Sequence, residues 1–330
     1  MTFRKSEETN EKIAGGALRK AGGAQLKGTG KYDDLPQPLK KGKTAFLLSM
    51  LVLPVLGFFV FYVGVNLTGI MLAFQQPLGI VNGVEVNEFS LVQFKNVWTA
   101  LTSPGNNLAI SVRNTLLFFT LDVVVMLPLT FILSYFFSKK VKGGAFLRIL
   151  IFLPSMMSSV AVVTMYKSAL AFNGPLASLF GEGYKNPLVG DETAIRAVLF
   201  YSFFFGVNGN VLLFQGALNR IPKEVLESAR LDGVNEVQEI FYMTLPLMMS
   251  TFSTIVILHV TGIFNASGPI LVLTGGAYKT STISFWVYLK TVEEGNYNLA
   301  AALGLTLTVV SLPVVMLIRK LIMPKEDIAY

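Results

Sequence analysis

Six apolar runs lie along the chain, at about 45–74, 115–137, 149–170, 194–218, 245–267 and 299–322, and polar or turn-forming residues collect between them. Each run is near or above the ~20 residues with which an α-helix crosses ~30 Å of hydrocarbon. The pattern predicts an all-α fold, a polytopic transmembrane helix bundle of about six spans. The first run is long enough to tilt or protrude. Pro54, Pro128, Pro154 and Pro313 interrupt the runs, which membrane helices tolerate when neighbours satisfy the freed carbonyls. Residues 1–43 are rich in Lys, Gly and polar side chains and show no sustained apolar period. The chain therefore divides into a tail, 1–43, and a membrane domain, 44–330. Three connections are long, about 75–113, 171–193 and 268–298, and carry Pro77-Leu78-Gly79, Pro104-Gly105, Trp98 and Trp286. An interfacial belt is the plain place for both tryptophans. These connections are too short for an enzyme domain but long enough for a rim on which another protein docks.

Charge sharpens this picture. Only 14% of the 330 residues are charged and 52% are apolar, against about 25% charged in soluble chains. Such a chain does not cover a water-facing surface in the usual way, and it is too apolar for disorder. With the N-terminus inside, twenty of the 27 cations fall on the inner side: ten in the tail, then Lys139, Lys140, Lys142, Arg148, Arg220, Lys223, Arg230, Arg319, Lys320 and Lys325. Lys95, Arg113, Lys167, Lys185, Arg196, Lys279 and Lys290 fall on or near the outer side. The positive-inside rule then places both termini in the cytoplasm. The tail reads as a cytosolic segment that helps set this orientation, or as a binder of the lipid surface through Lys40-Lys41-Gly42-Lys43. Its cations are not interleaved with aromatics, so nucleic acid is not expected as a partner. A signal peptide is not expected either, because the apolar run is too long and no cleavage pattern follows it. The absence of cysteine excludes a disulfide scaffold and thiol chemistry. A single histidine, His259, excludes a multi-His metal cluster.

The informative segment is the inner connection Ile221 to Pro246. Pro222 suits a first helical turn. Val225, Leu226 and Ala229 give the following residues an apolar stripe at helical spacing, and Asp232-Gly233 ends it. A second short helix follows with Val237, Ile240 and Phe241 on one side, before Leu245-Pro246 returns the chain to the membrane. Helix, glycine turn and helix thus lie at the cytoplasmic surface.

This segment resembles the EAA loop of binding-protein-dependent ABC importer permeases. That loop reads Glu-Ala-Ala, three residues, Gly, nine residues, Ile, one residue, Leu-Pro. Here Glu227-Ser228-Ala229, Gly233, Met243 and Leu245-Pro246 stand at those spacings, with Ser228 and Met243 as tolerable departures. Leu273-Thr274-Gly275-Gly276, Thr280, Thr282, Tyr288, Tyr297 and Ala300-Ala301-Ala302 are similar to the outer loop of the first-type permease half of carbohydrate importers, the half related to maltose permeases, with Ala277 where many relatives have proline. Arg113-Asn114-Thr115, Arg148 and Leu153-Pro154 also match, so the resemblance covers roughly 90–325. It implies the type I importer permease fold in a bacterial inner membrane. It implies as partners a second permease subunit, a pair of ATPase subunits and an extracellular or periplasmic solute-binding protein, besides membrane lipid. Glu227 would pair with a cation on the ATPase, Ala229 would pack in its groove, Gly233 would permit the turn and Leu245-Pro246 would anchor the loop. The chain has no Gly-Lys-Ser/Thr phosphate loop. No cofactor is expected in it, and Mg-ATP belongs to the partner ATPase. The chain is not expected to be an enzyme.

Polar groups inside spans are functional candidates because burying them is costly. Asp122, Asn208, Asn210, His259 and Asn265 are candidates for the solute pathway, and Gln215 is a further polar group. Hydrogen bonding between helices is the plain alternative for each. The family places its solute near mid-membrane, which favours Asn208, Asn210 and His259. Phe203, Phe204, Phe205 and Phe264 have faces on which a sugar could stack. Few cations lie within the spans, so a neutral di- or oligosaccharide is the preferred solute. A non-carbohydrate solute on the same architecture, or an ion-coupled secondary transporter, remains the alternative. The latter would show an internal repeat, and none is clear.

Overall fold

The computed structural model describes residues 41–81, 84–103, 107–139, 143–207, 209–265 and 269–322. The tail to residue 40, Pro104, Gly105, Lys140, Lys142, Asn208 and Lys325 lie outside the described residues. The chain divides into two compact units, Met1–Gly64 and Val65–Tyr330. In the first, the described chain is the helix Lys41–Gly57, with Pro54 inside it, followed by a π-wound stretch Phe58–Gly64. The second unit holds everything else that follows.

Length and apolar composition qualify four helices to cross a membrane: Phe46–Ala73, Asn107–Ser138, Thr193–Leu218 and Tyr297–Ile322. Two bent pairs qualify as broken spans, Gly144–Met156 with Ser159–Ala169 at 98°, and Glu236–Leu247 with Met249–Gly262 at 76°. Counting each pair once gives six spans, numbered below in chain order. Each bend follows a proline, Pro154 or Pro246, which removes a helix hydrogen bond. Span two begins at Asn107 rather than near 115. Its first turns carry Ser111, Arg113 and Asn114, whose polarity hides a helix from a hydrophobicity reading. Halfway along, Leu121–Met126 winds as a π-turn just before Pro128, the kind of local winding that frequently marks a functional position.

Spans two and four meet at an interruption of span four, between Gly206 and Val211. Here Thr130 Oγ1 lies 3.2 Å from the Val207 carbonyl and Ser134 Oγ 3.3 Å from the Val211 carbonyl, each hydroxyl shared with a carbonyl of its own helix at 2.7 Å, that of Met126 or Thr130. Both hydroxyls are buried. Around them pack Leu127, Phe131, Phe214, Met248 and Ile255, with the Phe131 and Phe214 rings edge to face at 5.5 Å. At the other end of span six, Asn298 Nδ2 donates to the Leu72 and Gln75 carbonyls and so closes the end of the helix Val65–Ala73.

The outer connections are more ordered than expected. A two-stranded antiparallel hairpin, β1 (Gln75–Val81) and β2 (Val84–Phe89), pairs Gln75 with Phe89 and carries an irregularity between Pro77 and Gly79, where a strand tolerates proline. Trp98 is exposed, as an interfacial residue would be. Trp286 is only 3% exposed and packs with Val97, Leu108 and Leu303. The expected belt position therefore fails for Trp286, because the helix Ile283–Tyr288 folds its ring into the outer core.

Two segments far apart in sequence meet here. Asn114 Nδ2 donates to the Lys279 carbonyl at 2.7 Å and the Ser281 carbonyl at 2.8 Å. Ser111 Oγ donates to Ser281 Oγ at 2.9 Å, and the Ile283 N–H donates to Thr115 Oγ1 at 3.0 Å. Tyr278 and Lys279 sit at φ 52° and 56°, a left-handed backbone that costs about 1–2 kcal/mol per L-residue. The Asn114 amide holds that strained turn in place. Asn114→Ala leaves two carbonyls without this donor and is expected to cost about 2–4 kcal/mol. The check is a lowered thermal midpoint in detergent together with faster tryptic cleavage after Lys279.

Candidate functional site

The segment 221–246, whose second helix is the first arm of the broken fifth span, folds as helix, glycine turn and helix. Pro222 precedes the helix Lys223–Leu231. Gly233, at φ +82°, turns the chain. The second helix opens at Asn235 with a capping box, in which the Gln238 N–H donates to Asn235 Oδ1 and Gln238 Oε1 accepts from the Asn235 N–H. Of the first helix only Ala229 is buried, while Glu227, Ser228 and Leu231 face outward. The apolar stripe of the second helix is split. Ile240 enters the core, whereas Val237, Phe241 and Tyr242 are exposed. The reason is that Glu239–Thr244 winds as a π-turn, which rotates the residues away from α-helical register. Leu245-Pro246 stands at the start of the next short helical turn, and Leu245 packs against the core.

A residue that the spacing did not single out anchors this loop. The Glu239 side chain is 2% exposed, and Lys139 Nζ donates to both of its carboxylate oxygens, at 2.6 and 2.7 Å. Arg230 Nε donates to the same carboxylate at 3.3 Å. Burial opposes the charge on this carboxylate, and the Lys139 ammonium and the Arg230 guanidinium offset it. The available signal was an acidic residue amid Ile, Phe and Tyr, opposite a lysine at the inner end of span two. No rule of spacing joins positions 139 and 239.

Within the spans, three of the five solute-pathway candidates converge. His259 Nδ1 is hydrogen-bonded to Asp122 Oδ2, and His259 Nε2 lies 2.7 Å from Asn210 Nδ2. If Nδ1–H donates to the carboxylate, Nε2 is left to accept from the Asn210 amide, which is a complete assignment for a neutral ring. Asp122 sits in the π-turn of span two, Asn210 at the break of span four and His259 near the end of span five's second arm. The Asp122 side chain is 45% exposed and that of His259 18%. Both open on a cavity of about 260 Å³ walled also by Phe118, Phe119, Met126 and Ser202. Asn208 lies outside the described residues, and Asn265 ends the turn Ile263–Asn265, its side chain outside what the structure describes. Gln215 Nε2 is buried without a partner among the described residues. Phe205 is part of the core around Tyr201, Phe204 is exposed, and Phe264 lines a different cavity with Thr308 and Ser311.

Comparison with known proteins follows the same lines. A family model described as "Binding-protein-dependent transport system inner membrane component" matches residues 111–325. The chain is 28% identical over 193 residues to the multiple sugar-binding transport system permease protein MsmF of Streptococcus mutans, covering 57% of this chain and 67% of that protein. It is 24% identical over 286 residues to the polygalacturonan/rhamnogalacturonan transport system permease protein YteP of Bacillus subtilis, covering 83% and 87%. In structure it resembles a chain from the crystal structure of a bacterial ABC transporter involved in the import of the acidic polysaccharide alginate, with a TM-score of 0.71, 20% identity, and coverage of 84% and 96%.

Gly233 has open space where a Cβ would stand, so its constraint is the positive φ alone. Gly233→Val is expected to strain the turn by about 1–2 kcal/mol, and Gly233→Asn by clearly less, since Asn tolerates the left-handed region. Limited proteolysis of the 223–246 loop, with Val cut faster than Asn and Asn close to wild type, checks this order.

Proposed function

The chain belongs to the family of binding-protein-dependent transport system inner membrane components, and from that membership we propose that it forms half of the pore of an ATP-driven importer for a di- or oligosaccharide in a bacterial inner membrane. It is a multi-pass membrane permease, not an enzyme. Its partners are a second permease subunit, a pair of ATPase subunits that bind Mg-ATP, and a solute-binding protein at the outer face. Relatives named for sugar transport support the carbohydrate reading.

The observation that carries the ATPase-coupling part is the helix Lys223–Leu231 itself. A helix that buries only Ala229 and leaves Leu231 89% exposed is a surface waiting for a protein, not for water. Glu227 is exposed on it as the charged contact, Ser228 and Ala229 stand beside it, Gly233 sets the angle to the second helix, and Leu245-Pro246 joins the loop to span five. ATP binding favours one arrangement of the ATPases, and a rigid loop makes the pore share that preference. In the spans, Asp122, His259 and Asn210 form a connected set of acceptors and donors of the kind that binds vicinal hydroxyls. A carboxylate in that cavity wall disfavours anionic solutes and supports a neutral sugar.

Two experiments test this. In the complex reconstituted with its ATPases and binding protein, Glu227→Lys is expected to preserve assembly and ATP hydrolysis while uptake falls by about tenfold or more. Wild-type uptake by an assembled Glu227→Lys complex would sink the coupling role. His259→Ala removes a hydrogen-bonded centre and is expected to raise the KM for uptake by about 5- to 30-fold, read from uptake against solute-loaded binding protein. An unchanged KM would move the solute elsewhere.

A further inference from the structure

The Glu239 carboxylate is shared between two elements that otherwise have little to do with each other. Arg230, which donates to it at 3.3 Å, is in the last turn of the helix Lys223–Leu231. Lys139, which holds both its oxygens at 2.6 and 2.7 Å, follows the last residue of span two. The same ammonium lies 4.7 Å from the centre of the Tyr135 ring one turn back. Beyond burial of Ala229, the Arg230–Glu239 bond is the side-chain link described between this surface helix and the rest of the chain. A carboxylate so thoroughly excluded from water, with charged donors on both sides, resists separation from either, because breaking one contact leaves a buried charge undercompensated.

From Lys139 the connection runs outward along one helix. Span two is continuous from Asn107 to Ser138. It carries Ser134 and Thr130 against the break of span four, Asp122 against His259, and Asn114 against the outer turn at Lys279. Every one of these attachments is polar and directional, so sliding or rotating span two disturbs them together.

Building on the reading of the chain as an ATPase-coupled pore subunit, we infer that Glu239 is a positioning residue that clamps the surface helix to the inner end of span two. A displacement imposed on Lys223–Leu231 then reaches the Asp122–His259–Asn210 cluster along that one helix. Glu239 touches neither solute nor ATPase in this scheme. It decides whether motion of the loop becomes motion of the pore.

The test uses the complete reconstituted complex and reads solute moved per ATP hydrolysed, alongside the thermal midpoint. Glu239→Gln keeps shape and removes the charge. The double variant Lys139→Met with Glu239→Met removes both charges and leaves none buried alone. The double variant is expected to hydrolyse ATP at an unchanged midpoint while solute per ATP falls by about tenfold. Glu239→Gln leaves the Lys139 ammonium without its counter-charge and is expected to show the same loss at a lowered midpoint. Wild-type solute per ATP in either assembled variant overturns the inference. So does a loss in the double variant that merely follows a lowered midpoint, or failure of both variants to assemble, since the cluster would then be a folding element only. Glu227→Lys in the same assay separates the two levels. If it uncouples and the Glu239 variants do not, only the clamp is wrong, whereas if none uncouples, the coupling role of the loop is wrong.

Discussion

Hydrocarbon offers no water to an unpaired donor or acceptor, and each such group left alone costs several kcal/mol. This constraint explains why so much of the molecule refers back to the helix Asn107–Ser138. At two places where another element leaves regular winding, a hydroxyl or amide of that helix lies against it. Thr130 and Ser134 approach carbonyls at the interruption of span four. Asn114 and Thr115 supply the irregular outer turn. The interruptions are tolerable only because span two stands beside them, and they are the places where polar chemistry is exposed to a cavity.

The two functional regions differ in how they are built. The inner loop presents exposed side chains on a helix with one buried residue, Ala229. Its form is a surface shaped by the turn at Gly233, not a pocket. The intramembrane cluster is the reverse. Asp122, Asn210 and His259 come from three spans, and each depends on an irregularity: a π-turn, a helix break, and the approach of a span's end to the turn at Ile263. Asp122 and His259 line the cavity, and Asn210 meets the far side of the imidazole, so carboxylate, imidazole and amide stand in one chain.

Between the two regions stands the Glu239–Lys139 pair, which no linear motif contains. Residue spacing identifies Glu227, Gly233 and Leu245-Pro246 because that motif lies along one short stretch. A buried pair is read by packing alone, and its members stand one hundred positions apart. Asn114 shows the same thing at the outer end. It matches a family position in isolation, but its reason for being an amide is the pair of carbonyls at Lys279 and Ser281.

The linear sequence was sufficient for the helical class, the approximate number and order of spans and the helix–glycine–helix loop. Those properties follow from local composition and from the conformational demand of single residues such as Gly233 and Pro222. Tertiary structure decided the rest. It ended the Trp286 belt expectation by folding that ring into the outer core, split Ile240 from Val237 and Phe241 by π-winding, and joined Asp122, His259 and Asn210 while leaving Gln215 without a partner among the described residues. Each outcome depends on which helices face one another and where their regular winding fails. Hydrophobic periodicity reports how much of a segment avoids water. It carries no information on which polar group will meet which across the bundle.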